Sequence, residues 1–262
     1  MRAARIKMDG ATAVYHCSSR VVGGQMLLDD LAKETLVVML TKLAAFCGVD
    51  IITYCMMSNH IDVLLRLRAQ RELSSAELLE RLEAFYGHDG ILTVRVRESI
   101  EELGHIDPKI HNTLNGRMGN LSVFMKEFKQ RFGRWFGFYT QPSSSLWAER
   151  FQSVLTEDSP MALRSAAASI DLISVEAGLV DDPKDYRFCG YSAAHGGVAT
   201  IRQALMGVLE KQDWPQAEAE YRKILFSADR KKKGPVLGDD PKPMIEAFTD
   251  AHRSELHPQT TT

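Results

Sequence analysis

The chain has 262 residues, of which 45% are hydrophobic and 25% charged, enough for one large domain or a medium domain with an appendage. No run approaches the roughly 18 apolar residues of a membrane span, and nothing apolar follows Met1-Arg2-Ala3-Ala4-Arg5 to form a secretion signal, so no membrane partner and a cytoplasmic location are expected. The net charge of −2 excludes a chain that coats nucleic acid by bulk charge; any such contact has to come from local patches. Cys17, Cys47, Cys55 and Cys189 lack CxxC spacing, which argues against both a zinc module and a disulfide framework.

Residues 12–17 are short, apolar and turn-bounded, and Gly23-Gly24 breaks the pattern after them, so a strand and a loop are expected. From about Asp29 to Phe46, Leu31, Leu36, Val37, Leu40, Leu43 and Ala44 recur at helical spacing, and Gly48 supplies a stop. Residues 50–67 read as a strand interrupted near Ser58-Asn59. Ser74-Ser75-Ala76-Glu77 has the form of a helix N-terminus, ahead of Leu78, Leu79, Leu82 and Phe85. Scattered Gly and Pro between 88 and 116 predict short helices and loops inserted in the core.

Met118 to Phe136 fits one amphipathic helix. Its stripe of Phe124, Phe128, Phe132, Trp135 and Phe136 reads as core, and its cationic side of Lys126, Lys129, Arg131 and Arg134 as a surface suited to phosphate contacts. A further helix is expected over about 160–175, capped by Asp158-Ser159, and one or two more within 200–227. The Arg230-Lys231-Lys232-Lys233 run reads as a solvated stretch, and the polar tail beyond Gly234 as disordered.

The segment Tyr54 to Leu65 carries the clearest chemical signal. In an extended strand His60 and Asp62 share one face and Ile61, Val63 and Leu65 the other. An imidazole beside a carboxylate suits Mg²⁺ or Mn²⁺, although a solvated sheet edge would carry the same pair without any ion.

Several segments occur in one order: Tyr15-His16-Cys17-Ser18-Ser19-Arg20; Tyr54 to Leu65; Phe124 to Trp135; Leu146-Trp147-Ala148-Glu149-Arg150-Phe151-Gln152-Ser153-Val154-Leu155; Ile170-Asp171-Leu172; Ala177-Gly178-Leu179-Val180; and Asp182-Pro183-Lys184-Asp185-Tyr186. Over roughly residues 12–192 this order resembles the REP-associated and insertion-sequence tyrosine transposases, the single-tyrosine branch of the HUH endonucleases. The resemblance implies an α+β fold, a small antiparallel sheet flanked by helices in an HUH or ferredoxin-like sandwich. A helical insertion at about 68–117, a helical extension at 193–234 and a disordered tail at 235–262 complete the expected layout. It also implies hairpin or single-stranded repeat DNA as partner, a homodimer, and a metal-assisted attack of a helical tyrosine on a DNA phosphate.

Two segments depart from that pattern. The family's metal strand carries a second His where this chain has Asp62, a weaker but still competent ligand for Mg²⁺ or Mn²⁺. The family's Tyr-Ile-x-Leu-Asn-Pro-Val-Arg-Ala-Gly corresponds here to Ser169-Ile170-Asp171-Leu172-Ile173-Ser174-Val175-Glu176-Ala177-Gly178, so the nucleophile position holds Ser169 and the family's Arg is Glu176, which repels phosphate. Trp147 and Arg150 are implied to lie near bound DNA or to brace the site. The expectation is a DNA-binding protein of transposase type with impaired chemistry; an active His60–Asp62 metal endonuclease with a displaced nucleophile and a fold-only interaction protein are the alternatives.

Overall fold

The computed structural model describes residues 11–69, 71–140 and 145–227. The first strand, β1 (Ala13–Arg20), runs into a single 3-10 turn at Val22–Gly24, where Gly23 and Gly24 take the left-handed backbone that side chains disfavour. Helix α1 (Asp30–Cys47) starts at Asp29, whose carboxylate accepts from the Ala32 N–H at 2.8 Å, and stops at Gly48 with φ 65°. Its buried stripe is Leu36, Leu40, Leu43 and Phe46. Where one interrupted strand was expected there are two, β2 (Val49–Met56) and β3 (His60–Leu67), paired as an antiparallel hairpin about Met57-Ser58-Asn59.

Three helices fill the expected insertion. α2 (Ser75–Tyr86) opens with a complete capping box between Ser74 and Glu77; α3 (Ile91–Leu103) and α4 (Pro108–Asn115) follow. α5 (Leu121–Thr140) packs along α1 and buries Phe124, Phe128, Phe132 and Phe136. The chain then returns as β4 (Gln152–Thr156), a short strand that sequence reading missed because its alternation spans only five residues.

α6 (Pro160–Asp171) is capped by the Ser159 hydroxyl, as the spacing predicts, but the helix expected to reach Val175 breaks at Leu172 and resumes as α7 (Ile173–Glu176). A 3-10 turn at Pro183–Asp185 leads to α8 (Gly190–His195), α9 (Ala199–Leu209) and α10 (Trp214–Leu225). The last two pack back on the core, α9 against β2 and α10 against α6 and α9. The Arg230 to Lys233 run and the expected tail lie outside the described residues.

The fold is α+β, one four-stranded antiparallel sheet in the order β2-β3-β1-β4 flanked by helices. β2 is an edge strand, yet the segment before α8 covers part of that edge: the Met56 N–H donates to the Phe188 carbonyl at 2.9 Å, and Cys55 forms a bridge with Cys189. None of the described helices is long and apolar enough to cross a membrane.

Candidate functional site

Residues directly opposite in an antiparallel pair point to the same side of the sheet. The pairs Ser18 with Asp62, Arg20 with His60, Cys55 with Asp62 and Thr53 with Leu64 therefore define one face. A register shift between Ile51 and Thr53 brings Thr53 onto it. Helix α6 lies on this face, because the Thr53 hydroxyl donates to Asp171 at 2.6 Å. The opposite face, with Tyr15, Cys17, Tyr54, Ile61, Val63 and Leu65, is buried.

His60 and Asp62 fall on one face, as the strand alternation predicts, and their neighbour is a residue to which sequence reading gave no role. His16, two positions from Ser18 on β1, lies diagonally across from Asp62 and places Nε2 2.6 Å from its Oδ1. Asp62 is 5% exposed, so this bond serves a carboxylate with little access to water. On the other side His60 Nε2 stands 3.7 Å from Asp62 Oδ2. The His60 Nδ1 bonds Asn59 Oδ1 at 2.6 Å; with the proton on Nδ1, the Nε2 lone pair is turned toward the carboxylate. Burial lowers the His60 pKa, against the pull of Asp62 in the other direction. The partnership of His16 was visible only as period-two alternation on β1; the β1–β3 register that joins it to Asp62 is tertiary.

Among the described residues, no group of three or more His, Cys, Asp or Glu side chains is arranged to hold a metal. What is present is a two-donor pair, one nitrogen and one oxygen, with His16 holding the carboxylate through its other oxygen.

Ser169, which the sequence resemblance sets opposite the family's tyrosine, is exposed near the C-terminal end of α6, and its hydroxyl donates to the Ser165 carbonyl one turn back at 2.9 Å. Two residues on, Asp171 points inward and is fully buried. It accepts from the Thr53 hydroxyl at 2.6 Å, the Tyr221 hydroxyl at 2.6 Å and the Tyr191 N–H at 3.0 Å, tying α6 to β2, α8 and α10. Burial raises its pKa to about 6 against the opposing effect of these three donors. The Asp171 hub is the second feature that sequence reading left without a role; an Asp two residues past an exposed helical position was its only signal.

The cationic side of α5 divides in two. Lys126 and Arg134 are exposed, as expected, and so is Arg150. Lys129 is not: it belongs to the buried stripe, donates through Nζ to the Glu149 carbonyl at 2.6 Å, and lies 5.0 Å over the Trp147 ring. Burial pulls its pKa down to about 8. Lys129 sits one position after Phe128 and three before Phe132, so the 3.6-residue period carries it to the inner face. Arg131 is committed as well, donating to Glu127 at 2.8 Å and to the Tyr86 hydroxyl at 2.8 Å while covering the Phe85 ring. Trp147 braces the same region, its indole N–H donating to the Lys129 carbonyl at 3.2 Å.

Fold and site together define an α+β protein with a His–Asp–His row on one face of a four-stranded antiparallel sheet and a helix laid across that face. Among solved structures the chain is similar to a REP-associated tyrosine transposase bound to a REP hairpin. The identity is 12% and the TM-score 0.47, over 76% of this chain and 86% of that one. No family model matches, and no curated protein matches.

Proposed function

We propose that this chain is a DNA-binding protein of the tyrosine transposase type that recognises hairpin or single-stranded repeat DNA and lacks efficient strand transfer. The observation that carries the second half is the state of Ser169. It stands where the resembled family has a tyrosine, its hydroxyl donates to a carbonyl of its own helix, and a serine attacks a phosphate only when a base takes its proton. DNA binding rests on exposed cations. Arg20 is paired with His60 across the sheet, and its carbonyl accepts from the Ala148 N–H at 3.1 Å, which places Arg20 close in the chain path to exposed Arg150. Guanidinium groups at such a rim suit phosphate oxygens.

His60 and Asp62 would hold Mg²⁺ or Mn²⁺, through Nε2 and Oδ2, with His16 keeping the carboxylate in place. When bound, such an ion polarises a phosphoryl oxygen. An active endonuclease is the second reading, favoured by the hydrogen bond that fixes the His60 tautomer.

Labelled hairpin DNA from the gene's own neighbourhood, incubated with the protein and Mn²⁺ and run on native and denaturing gels, separates the readings. The expected result is a shifted band with no covalent adduct. An adduct or a nick lost in His60→Ala would establish the active enzyme, and no shift even at low salt would leave only the fold. In the binding outcome, Arg20→Ala with Arg150→Ala should flatten the log–log salt dependence of affinity by roughly one unit per phosphate contact removed. An unchanged slope would remove those two residues from the interface.

A further inference from the structure

Helix α5 carries an outward face that neither the core nor the His60–Asp62 pair uses. Lys126, Gln130, Arg134 and Phe138 recur every four residues along it, all exposed, and Phe138 is 86% exposed. Beside Phe138 the rings of Trp135 and Tyr139 are stacked, 5.1 Å between centroids and 14° from parallel. Both are held from behind. Trp135 rests on buried Phe132 at 5.4 Å, and the Tyr139 hydroxyl donates to Asp29 Oδ2 at 3.0 Å. Asp29 opens α1 directly after Leu28, whose N–H donates to the Ser58 carbonyl at 2.9 Å in the turn that precedes His60. The aromatic patch therefore sits at the same end of the sheet as His60.

We propose that Trp135, Phe138 and Tyr139 form a stacking platform for an unpaired nucleobase of single-stranded DNA, with Arg134 and Lys126 receiving the adjoining phosphates. Rigid, part-exposed rings beside a row of cations are the combination that binds single strands without reading their sequence. Charge complementarity selects this occupant. Among the described residues neither Lys126 nor Arg134 has a carboxylate partner, and the nearest acidic residue on α5, Glu127, is engaged by Arg117 and Arg131. Asp29, at the hydroxyl end of Tyr139, is occupied by that hydroxyl and by the α1 cap. An apolar protein partner would gain nothing from the unpaired cations.

The platform rests on the DNA-binding reading, and its test separates the two. The probe is a hairpin with a four-nucleotide single-stranded extension containing 2-aminopurine, compared with the same hairpin made blunt. The expected result is quenching of the 2-aminopurine and tighter binding of the extended probe, by roughly tenfold for one stacked base. Phe138→Ala, which removes only an exposed ring, and Trp135→Ala should abolish that advantage and leave the blunt-hairpin Kd unchanged. A 5-iododeoxyuridine in the extension should cross-link to Trp135, Phe138 or Tyr139. Binding of both probes with no quenching, or with equal losses in the variants, would overturn the platform and leave DNA binding intact. Failure to bind either probe would overturn both. A dimer in sedimentation that becomes monomeric in Phe138→Ala would assign the face to a second copy of the chain, against the proposal.

Discussion

Replacing Asp171 by alanine is expected to lower the unfolding free energy by about 3–5 kcal/mol, since it strands three buried donors and leaves a cavity at the junction of four elements. The Thr53 hydroxyl, the Tyr221 hydroxyl and the Tyr191 N–H all lose their acceptor at once. Asp171→Asn should behave differently. The amide oxygen keeps an acceptor for Thr53 and Tyr191, and the Tyr221 hydroxyl can turn to accept from the new NH₂.

The two side chains part company with pH. The Asp171 pKa is about 6 in the fold against an ordinary 3.8, so as the pH falls the folded state takes up this proton before the unfolded chain does. The contribution of Asp171 to stability therefore grows as the pH falls from about 7 to about 4, and is lost as it rises through 6, by about 3 kcal/mol in all. Asn has no such dependence. Chemical denaturation of wild type and Asp171→Asn across pH 4–8 should show Asn relatively most favourable at the alkaline end. Parallel curves would mean that the carboxylate titrates normally and that burial in the hub does not penalise its charge.

Gly190→Ala should cost several kcal/mol for a reason independent of charge. Gly190 opens α8 where it lies against β2, and a Cβ there would overlap the Thr53 Oγ1 and stand 2.9 Å from the Thr53 Cα. The hydroxyl cannot swing away without abandoning Asp171, and the strand backbone cannot retreat because it is paired with β3 on its other side. Overpacking against main chain is among the larger single-residue penalties. Thr53→Ala should relieve part of the clash, so the double variant should be less destabilised than the sum of the two singles. Strict additivity, or a Gly190→Ala protein that melts with wild type, would show that α8 is free to move off the sheet.

How much of this was legible in the sequence varies with the range of the interaction. Helices α1, α2 and α5 were readable because their apolar spacing, the Ser74 cap and the Gly48 stop all act within a few residues. The hairpin at Ser58-Asn59 was legible as an interruption. β4 was not, since five half-exposed residues have meaning only when β1 lies beside them. The cation row on α5 shows the same limit: residue type marked Lys129 as surface, while the helical phase set by its Phe neighbours and the Glu149 carbonyl placed it inside.

The candidate site divides in the same way. Strand alternation alone determined that His60 and Asp62 share a face, and the order of motifs, through the family resemblance, implied Ser169 as the counterpart of the family's tyrosine. Tertiary structure decided that His16 holds Asp62, because the pairing of Ser18 with Asp62 joins strands 44 residues apart. It also decided that Asp171 is a buried hub, since its donors come from β2, α8 and α10. Local order is written in nearest-neighbour sterics and periodicity, which a chain carries in its sequence. The environment of a charged group depends on which distant segments exclude water from it, and that is settled only when those segments pack.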